Sequence, residues 1–318
     1  MAKENSIQDN QLFISRVIHA PRELVFKMWT DPEHMPKWWG PNGFTNTIHA
    51  MEHGTGGFCD YTMHDPDGKD WPNYQRYREV IPNEKIEYMH GSTVDDVEKG
   101  FHVVVNFEDI EGATRISMLM TFESAEDKQH KTEGGAKNGL TQHMNNMEDY
   151  IAFLDTDGVF TISREFNAPI QLLYEVHTQK EHIMHFWGPK ESDTEIIEFD
   201  LNTGGRIFYC MHMPDGKYYA QQIFREIVTN KLLTMMTTFC NEQGAAIHPP
   251  MMETLPMNML TSMGFEAVDE HTTRLTIKVV PFNATTDEHQ AFVQLKDSMH
   301  EGYTGTLDVL EQYLKTIN

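Results

Sequence analysis

The chain carries the segment FISRVIHAP at residues 13–21, and a closely similar segment, TISREFNAP, returns at residues 161–169. In each copy an arginine-bearing, strand-like stretch leads into Ala-Pro, and proline is well suited to the first turn of a helix. Self-similarity of this kind identifies a repeat and sets the number of domains before any other feature is considered.

Further short matches follow the first segment in the same order. They pair Trp39-Gly40-Pro41 with Trp187-Gly188-Pro189, Gly56-Gly57 with Gly204-Gly205, Asp67-Gly68-Lys69 with Asp215-Gly216-Lys217, and Thr114-Arg115 with Thr273-Arg274. We therefore predict an N-terminal tail over residues 1–11, a first domain over 12–156 and a second over 157–318. The polar turn Asp155-Thr156-Asp157-Gly158 marks the boundary, and domains joined by so short a turn are expected to contact each other.

Composition limits the classes of function. Hydrophobic residues make up 39% of the 318 residues, enough for two packed cores. The formal net charge is −23, which disfavours nucleic acid and anionic membrane surfaces as partners. No stretch approaches the roughly 18 apolar residues of a membrane helix, and the N-terminus lacks the apolar core of a signal peptide. We expect a cytoplasmic protein whose three cysteines are buried, with no cofactor and no metal site.

Each repeat predicts the same order of elements: one strand, two short helices, six strands and one long helix. The strands alternate in hydropathy and are separated by turns, such as the one at Asp65-Pro66-Asp67-Gly68. From about Leu140 the period becomes helical. Runs of antiparallel strands followed by a helix indicate an α+β fold. A curved antiparallel sheet wrapped on a long C-terminal helix leaves a space between them, and that space is the expected pocket.

These residues carry a family resemblance. Ala20-Pro21 after an arginine-bearing strand, Trp39-Gly40-Pro41 after two short helices, Gly56-Gly57 and Asp67-Gly68-Lys69 resemble the activator of heat-shock protein 90 ATPase homologue-like branch of the START-like (SRPBCC) superfamily. The resemblance spans nearly the whole chain, twice. It implies two tandem helix-grip domains, each with a hydrophobic ligand cavity. The superfamily includes lipid carriers, hormone receptors and polyketide cyclases, so it implies little about activity.

The two repeats differ where that branch usually carries Gly-Trp early in the last helix. Repeat two has Gly302-Tyr303 and repeat one has Gln142-His143, so the two pockets are expected to differ in polarity. Trp39 and Trp187 are interpreted as wedges between the second short helix and the sheet. Their neighbours Trp38 and Phe186 are then the aromatic residues expected to contact a ligand.

The candidate ligand-binding residues are mostly methionine and aromatic, because flexible thioethers line adaptable apolar pockets well. They are Trp38, Tyr61, Met63, Met89, Met118, Met120, His143 and Met147 in the first domain, and Phe186, Tyr209, Met211, Met235, Met259, Tyr303 and Leu307 in the second.

Polar residues also recur. Arg16 and Arg164 on the first strand of each repeat are interpreted as members of exposed cross-strand ion pairs with the Arg-Glu pairs of the fourth strand. His64 and His212 recur before the Asp-Gly turns, as a polar pocket group or a surface residue. No nucleophile motif, phosphate loop or repeated metal-ligand spacing is present in the sequence.

Three functions remain open. We favour non-enzymatic binding or carriage of one small hydrophobic or aromatic molecule in each domain. The first alternative is a cyclase- or hydratase-type enzyme in which His143, His64 or Tyr303 acts as acid or base. The second alternative is a protein-interaction module, associated with a chaperone, whose acidic surface is the working part.

Overall fold

A computed structural model describes residues 7–132, 136–154, 158–188, 192–250, 252 and 254–317. They form two compact units, Met1–Ile151 and Ala152–Asn318. Residues 155–157, at which we placed the boundary, and Pro189 of the second Trp-Gly-Pro motif lie outside the described residues.

The first domain is an antiparallel sheet of seven strands in the order β1-β7-β6-β5-β4-β3-β2. The strands are β1 (Gln11–Ile18), β2 (Thr45–Glu52), β3 (Phe58–His64), β4 (Asp70–Ile81), β5 (Lys85–Gly91), β6 (Phe101–Ile110) and β7 (Ala113–Thr121). The helices are α1 (Arg22–Thr30), α2 (Ala125–Thr132) and α3 (Ala136–Ala152), with 3-10 turns at Met35–Lys37 and Val97–Lys99. The predicted α+β fold with a long last helix is confirmed.

The second domain repeats this topology, with the order β8-β14-β13-β12-β11-β10-β9. Its strands are β8 (Phe160–Phe166), β9 (Asp193–Phe199), β10 (Arg206–Met213), β11 (Gly216–Val228), β12 (Leu232–Cys240), β13 (Asn258–Ala267) and β14 (Thr273–Pro281). Its helices are α4 (Ile170–Thr178), α5 (Lys180–Ile183), α6 (Thr286–Gln294) and α7 (Lys296–Ile317).

Helix α1 shows how the local sequence forms the fold. Pro21 stands at its N-terminal boundary, and its extended conformation starts the helix where the repeat motif predicts it. The buried side chains of Val25 and Met28 pack the helix against β6 and β7. In the second domain, the buried Leu173 and Val176 lie on α4, which packs against β13.

The repeated Trp-Gly-Pro motif has a conformational reason. Gly40 and Gly188 have φ values of +117° and +115°, a region that side chains with a Cβ rarely adopt. This turn brings the chain from the short helices into β2 or β9. The carbonyl of Trp39 then accepts a hydrogen bond from the Asn46 amide, and that of Trp187 accepts one from the Thr194 hydroxyl.

Two features of the fold differ from the prediction. Each domain has an additional helix, α2 or α6, before its long helix. A capping sequence marks the start of each additional helix. The Ser124 hydroxyl accepts a hydrogen bond from the Asp127 amide before α2, and Thr285 and Glu288 form a reciprocal capping box before α6. In the second domain the long helix therefore begins soon after α6 and not directly after the last strand.

The expected cross-strand ion pairs of Arg16 and Arg164 are also wrong, because β1 and β4 are not neighbours in the sheet. Instead Arg16 donates to Glu148 at 3.1 Å, and Arg164 donates to Asp308 at 2.7 Å. Each arginine therefore ties the first strand of its domain to the last helix.

Candidate ligand cavities

Each domain contains an internal cavity between its sheet and its C-terminal helices. Cavity 1, in the first domain, has a volume of about 270 Å³, and cavity 2, in the second, about 470 Å³. These volumes are close to the range of small-molecule sites, roughly 300–1,000 Å³.

Cavity 1 is walled by strand residues on one side and by helix residues on the other. Its lining comprises Leu12, Trp39, Pro41, Tyr61, Met63, Asn73, Tyr88, His90, Phe101, Met118, Met120, Phe122, Lys131, Thr132, Gly139, Leu140, His143 and Met144. The wall is mainly apolar, with four methionines and five aromatic residues. Among its apolar members, Leu12 on β1 lies opposite Met120 on β7, so the join between the first and last strands forms part of the wall.

Three polar side chains of cavity 1 form one short series of contacts. The indole N–H of Trp39 donates to the hydroxyl of Tyr61 at 3.0 Å, and Nε2 of His90 lies 3.3 Å from the same hydroxyl. Phe101 packs on the His90 ring at a centroid distance of 4.6 Å. Burial, with a smaller effect of Lys131, lowers the pKa of His90 to about 4. The His90 ring is therefore neutral at physiological pH.

His143 is the second histidine of cavity 1. Its Nδ1 lies 2.7 Å from the carbonyl oxygen of Gly139, one helical turn earlier in α3. Its ring meets Trp39 edge to face at 5.2 Å. Burial lowers the pKa of His143 to about 4. This neutral imidazole can accept a hydrogen bond or a proton inside an apolar site.

Cavity 2 uses equivalent positions with different side chains. Its lining comprises Trp187, Gly188, Tyr209, Met211, Ala220, Gln222, Thr237, Phe239, Leu255, Met259, Thr261, Val279, Phe292, Leu295, Ser298, Met299, Gly302, Tyr303 and Thr306. Trp187 and Tyr209 keep the indole–hydroxyl hydrogen bond of Trp39 and Tyr61. Burial raises the pKa values of Tyr209 and Tyr303.

The larger volume of cavity 2 has a local cause. Strand register makes Ala220 equivalent to Asn73, because they lie opposite Tyr209 and Tyr61 respectively. In the same way Thr237 occupies the position of His90, opposite a glutamine of the preceding strand. Val279, opposite Phe160, corresponds to Met120 opposite Leu12. At each of these three positions the second domain has the smaller side chain.

The structure brings together nine of the residues that we singled out from the sequence. Five of them line cavity 1 and four line cavity 2: Tyr61, Met63, Met118, Met120 and His143, and Tyr209, Met211, Met259 and Tyr303. Their role as ligand contacts remains a prediction.

Six of the singled-out residues lie outside the two cavity walls. Trp38 is 2% exposed and donates its indole N–H to the Met28 carbonyl, so Trp39 takes the place in the wall that we assigned to Trp38. Phe186, equivalent to Trp38, packs against the ring of His177. It borders a small separate void, of about 20 Å³.

The other four lie outside the walls for two reasons: Met89 is on the opposite face of its strand, and the remaining three lie further along their elements than the wall residues. Met89 alternates with Tyr88 and His90 along β5, and those two face the cavity. Met235 borders the small void beside Phe186. Met147 and Leu307 are buried one turn beyond the parts of α3 and α7 that face the cavities.

The sequence reasoning missed His90, and strand alternation could have identified it. On β5 the buried Ile86 and Tyr88 establish which face is internal, and His90 continues that face. It also missed Lys131 and Ser298, which lie in or after the additional helices. His64, the other histidine considered for catalysis, lies at the surface, with Thr47 at 2.9 Å and Asp70 at 2.7 Å.

In the described ranges, no group of three or more His, Cys, Asp or Glu side chains is placed to hold a metal ion. Within the same part of the chain, no helix has both the length and the apolar composition needed to cross a membrane.

Solved structures similar to this chain cover either one domain or both. A protein from Arthrobacter aurescens is 26% identical, with 46% of this chain and 88% of that chain covered and a TM-score of 0.43. One from Staphylococcus epidermidis is 24% identical, with 45% and 90% covered and a TM-score of 0.41. The di-domain ARO/CYC BexL from the BE-7585A biosynthetic pathway is 12% identical, with 95% and 98% covered and a TM-score of 0.41. Among curated proteins, none matches the chain.

The family comparison agrees with the repeat in the sequence. The family model of the Activator of Hsp90 ATPase homolog 1-like proteins matches residues 19–152 and again residues 167–315. Together the two matches cover most of both domains. The chain therefore belongs to the Activator of Hsp90 ATPase homolog 1-like family and contains two domains of that family in tandem.

Proposed function

We propose that this protein binds or carries small hydrophobic or aromatic molecules, one in the cavity of each domain. The observation that carries the proposal is the pair of cavities with mainly apolar walls, each with methionine side chains and the same tryptophan–tyrosine hydrogen bond. An apolar guest is stabilised by the area it removes from water, about 25 cal/mol per Å². The polar groups at the wall then select the orientation of the guest.

The chain offers a matched pair of variants that would block the cavities one at a time. Gly139 in α3 lines cavity 1 and Gly302 in α7 lines cavity 2. A Cβ added at either glycine meets no atom within 4 Å. Gly139→Phe and Gly302→Phe therefore place a ring next to open space, and each also replaces a poor helix-forming residue.

Native mass spectrometry with 1-naphthol as the probe tests the proposal. We expect two guests on the wild-type chain, one on either single variant and none on the double variant. Circular dichroism controls for the fold of each variant. Wild-type protein that takes up no guest, or a double variant that still takes up two, would contradict binding in the cavities.

An acid–base enzyme of the cyclase or hydratase kind is the second candidate. His143 favours it, because its imidazole lines the cavity in the unprotonated form that a general base requires. Tyr303 is the equivalent group in cavity 2, whereas the surface position of His64 removes it from this role. Turnover of a cyclisable aromatic precursor that is lost in His143→Ala, with the fold intact, would support the enzyme. Turnover that His143→Ala leaves unchanged would contradict it.

A further inference from the structure

The two cavities differ most clearly at one position of the last helix. His143 in α3 and Tyr303 in α7 both line their cavities. They are the second residues of Gln142-His143 and Gly302-Tyr303, the dipeptide at which the two sequence repeats differ. The hydrogen-bonding capacity of these two side chains determines what each cavity offers to a guest.

In cavity 1, the tautomer of His143 follows from its partner. The carbonyl oxygen of Gly139 can only accept a hydrogen bond, so Nδ1 of His143, 2.7 Å away, carries the hydrogen and donates. Because burial keeps the ring neutral, Nε2 has a lone pair and no hydrogen. Within the described part of the chain, no side chain or backbone group donates to this Nε2. Cavity 1 therefore offers a hydrogen-bond acceptor.

Two other polar side chains of cavity 1 already have partners. The Tyr61 hydroxyl accepts from Trp39 and lies within hydrogen-bonding distance of His90. Lys131, the cation in the wall, pairs with Asp127 at 3.0 Å. The Tyr88 hydroxyl bonds no other group of the described residues and can donate or accept, whereas Nε2 of His143 can only accept. His143 is therefore the group of this wall that favours a hydrogen-bond donor on the guest.

Cavity 2 has at the equivalent position a hydroxyl, which can donate as well as accept. Burial raises the pKa of Tyr303, so its hydroxyl keeps its hydrogen at neutral pH and can donate it. The Tyr209 hydroxyl has a bond from Trp187, but Thr237 replaces the histidine that engages its counterpart in cavity 1. None of the described residues that line cavity 2 carries a charge.

We propose that the two cavities select guests by a difference in hydrogen-bonding character at this one position. Cavity 1 takes an aromatic guest whose hydroxyl donates to Nε2 of His143, and cavity 2 takes a larger neutral guest whose carbonyl oxygen accepts from the hydroxyl of Tyr303. This inference rests on the proposed function and assigns the ligand class at each of its two sites. A guest of the wrong character leaves a buried polar atom unpaired, which weakens binding by about tenfold.

Isothermal titration calorimetry on the two blocked proteins tests the inference. Gly302→Phe leaves cavity 1 open, and Gly139→Phe leaves cavity 2 open. The probes are 1-naphthol, which donates, 1-acetonaphthone, which accepts, and 1-naphthoate, which is anionic. We expect the dissociation constant of cavity 1 to be about tenfold lower for 1-naphthol than for 1-acetonaphthone, and cavity 2 to lose or reverse this preference.

Single substitutions then assign the selectivity to the two side chains. His143→Phe should abolish the preference of cavity 1 for the hydroxyl, and His143→Gln, whose amide oxygen accepts, should restore part of it. Tyr303→Phe should weaken 1-acetonaphthone in cavity 2 while naphthalene binds as before. If a blocked protein does not fold, the same substitutions in the unblocked chain give the same comparison, since each acts on one cavity.

The outcomes separate this inference from the proposed function. Equal ratios of the two dissociation constants in both cavities would overturn the inference and leave cavity binding intact. Tightest binding of 1-naphthoate to cavity 1 would assign recognition to Lys131 and overturn the role of His143. No binding of any probe to either protein would contradict the proposed function itself.

Discussion

Trp39 donates its indole N–H to the hydroxyl of Tyr61 at 3.0 Å, and Trp187 and Tyr209 make the same bond in the second domain. In each domain the bond joins the tryptophan of the Trp-Gly-Pro motif to the middle of a strand, β3 in the first domain and β10 in the second. It therefore fixes the position of one aromatic wall of the cavity relative to the sheet.

Loss of this bond should destabilise the first domain. Tyr61→Phe leaves the Trp39 N–H without its acceptor, and an unpaired buried donor costs about 1–3 kcal/mol. We expect the melting temperature of the first domain to fall by several degrees. Tyr88→Phe is the matched control, because within the described residues the Tyr88 hydroxyl, also in the wall, bonds no other group. Equal losses in the two variants would contradict a role for the tryptophan–tyrosine bond.

The ion pair between the first strand and the last helix should contribute more to stability in the first domain, Arg16–Glu148, than in the second, Arg164–Asp308. The Glu148 side chain is 8% exposed, whereas that of Asp308 is 60% exposed. Arg16→Ala leaves a buried carboxylate without its guanidinium, and we expect a loss of about 2 kcal/mol or more in the free energy of unfolding. Arg164→Ala should cost below about 1 kcal/mol. Urea unfolding of both variants measures the difference, and the reverse order would contradict it.

Acid should destabilise both domains through buried histidines. Burial lowers the pKa values of His90 and His143 in the first domain and of His177 in the second from the ordinary 6.5 to about 4. The unfolded chain then binds more protons than the folded chain between those values. The stabilisation is therefore complete above pH 6.5 and is lost as the pH falls towards 4, by about 1.4 kcal/mol per unit of pKa difference.

Melting temperatures recorded between pH 7.5 and pH 4.5 check this dependence. His177→Phe should flatten the pH dependence of the second domain. A His177→Phe protein with the wild-type acid sensitivity would show that other groups cause the loss.

Exchanging one pair of equivalent side chains should make cavity 2 smaller and cavity 1 larger. Val279→Met gives cavity 2 the side chain that cavity 1 has at Met120, and Met120→Val makes the reverse change. We expect Val279→Met to weaken the binding of tricyclic aromatic guests about tenfold. Met120→Val should admit them to cavity 1 while it lowers stability by about 1 kcal/mol, because the unfilled cavity is larger. Titration of both variants with anthracene-sized probes measures the exchange, and unchanged affinities would contradict the size argument.

The repeat, the α+β class and the C-terminal helix could be predicted because identities and periodicity recur in the sequence. The wall residues were predictable where a strand alternates clearly, as at Tyr61 and Met63. Trp38 and Trp39 could not be separated, since adjacent residues of an irregular turn have no period. The bond from Trp38 to the Met28 carbonyl, which removes Trp38 from the cavity, depends on the position of α1.

The ion-pair partner of Arg16 could not be predicted from the sequence for a similar reason. The repeated Arg-Glu on β4 looked complementary, but the sheet order separates β1 from β4. Only the packing of α3 brings Glu148 to Arg16. Contacts between elements that are distant in the chain depend on topology, and short motifs do not encode it.

A crystal structure of the full chain, purified from cells and soaked with 1-naphthol, tests most directly whether the two interiors hold guests. We predict ring-shaped density in both cavities, against Trp39 in the first domain and Trp187 in the second, with the hydroxyl of the first guest within hydrogen-bonding distance of His143. Interiors filled by their own side chains, with the probe found only on the outer surface, would contradict the account.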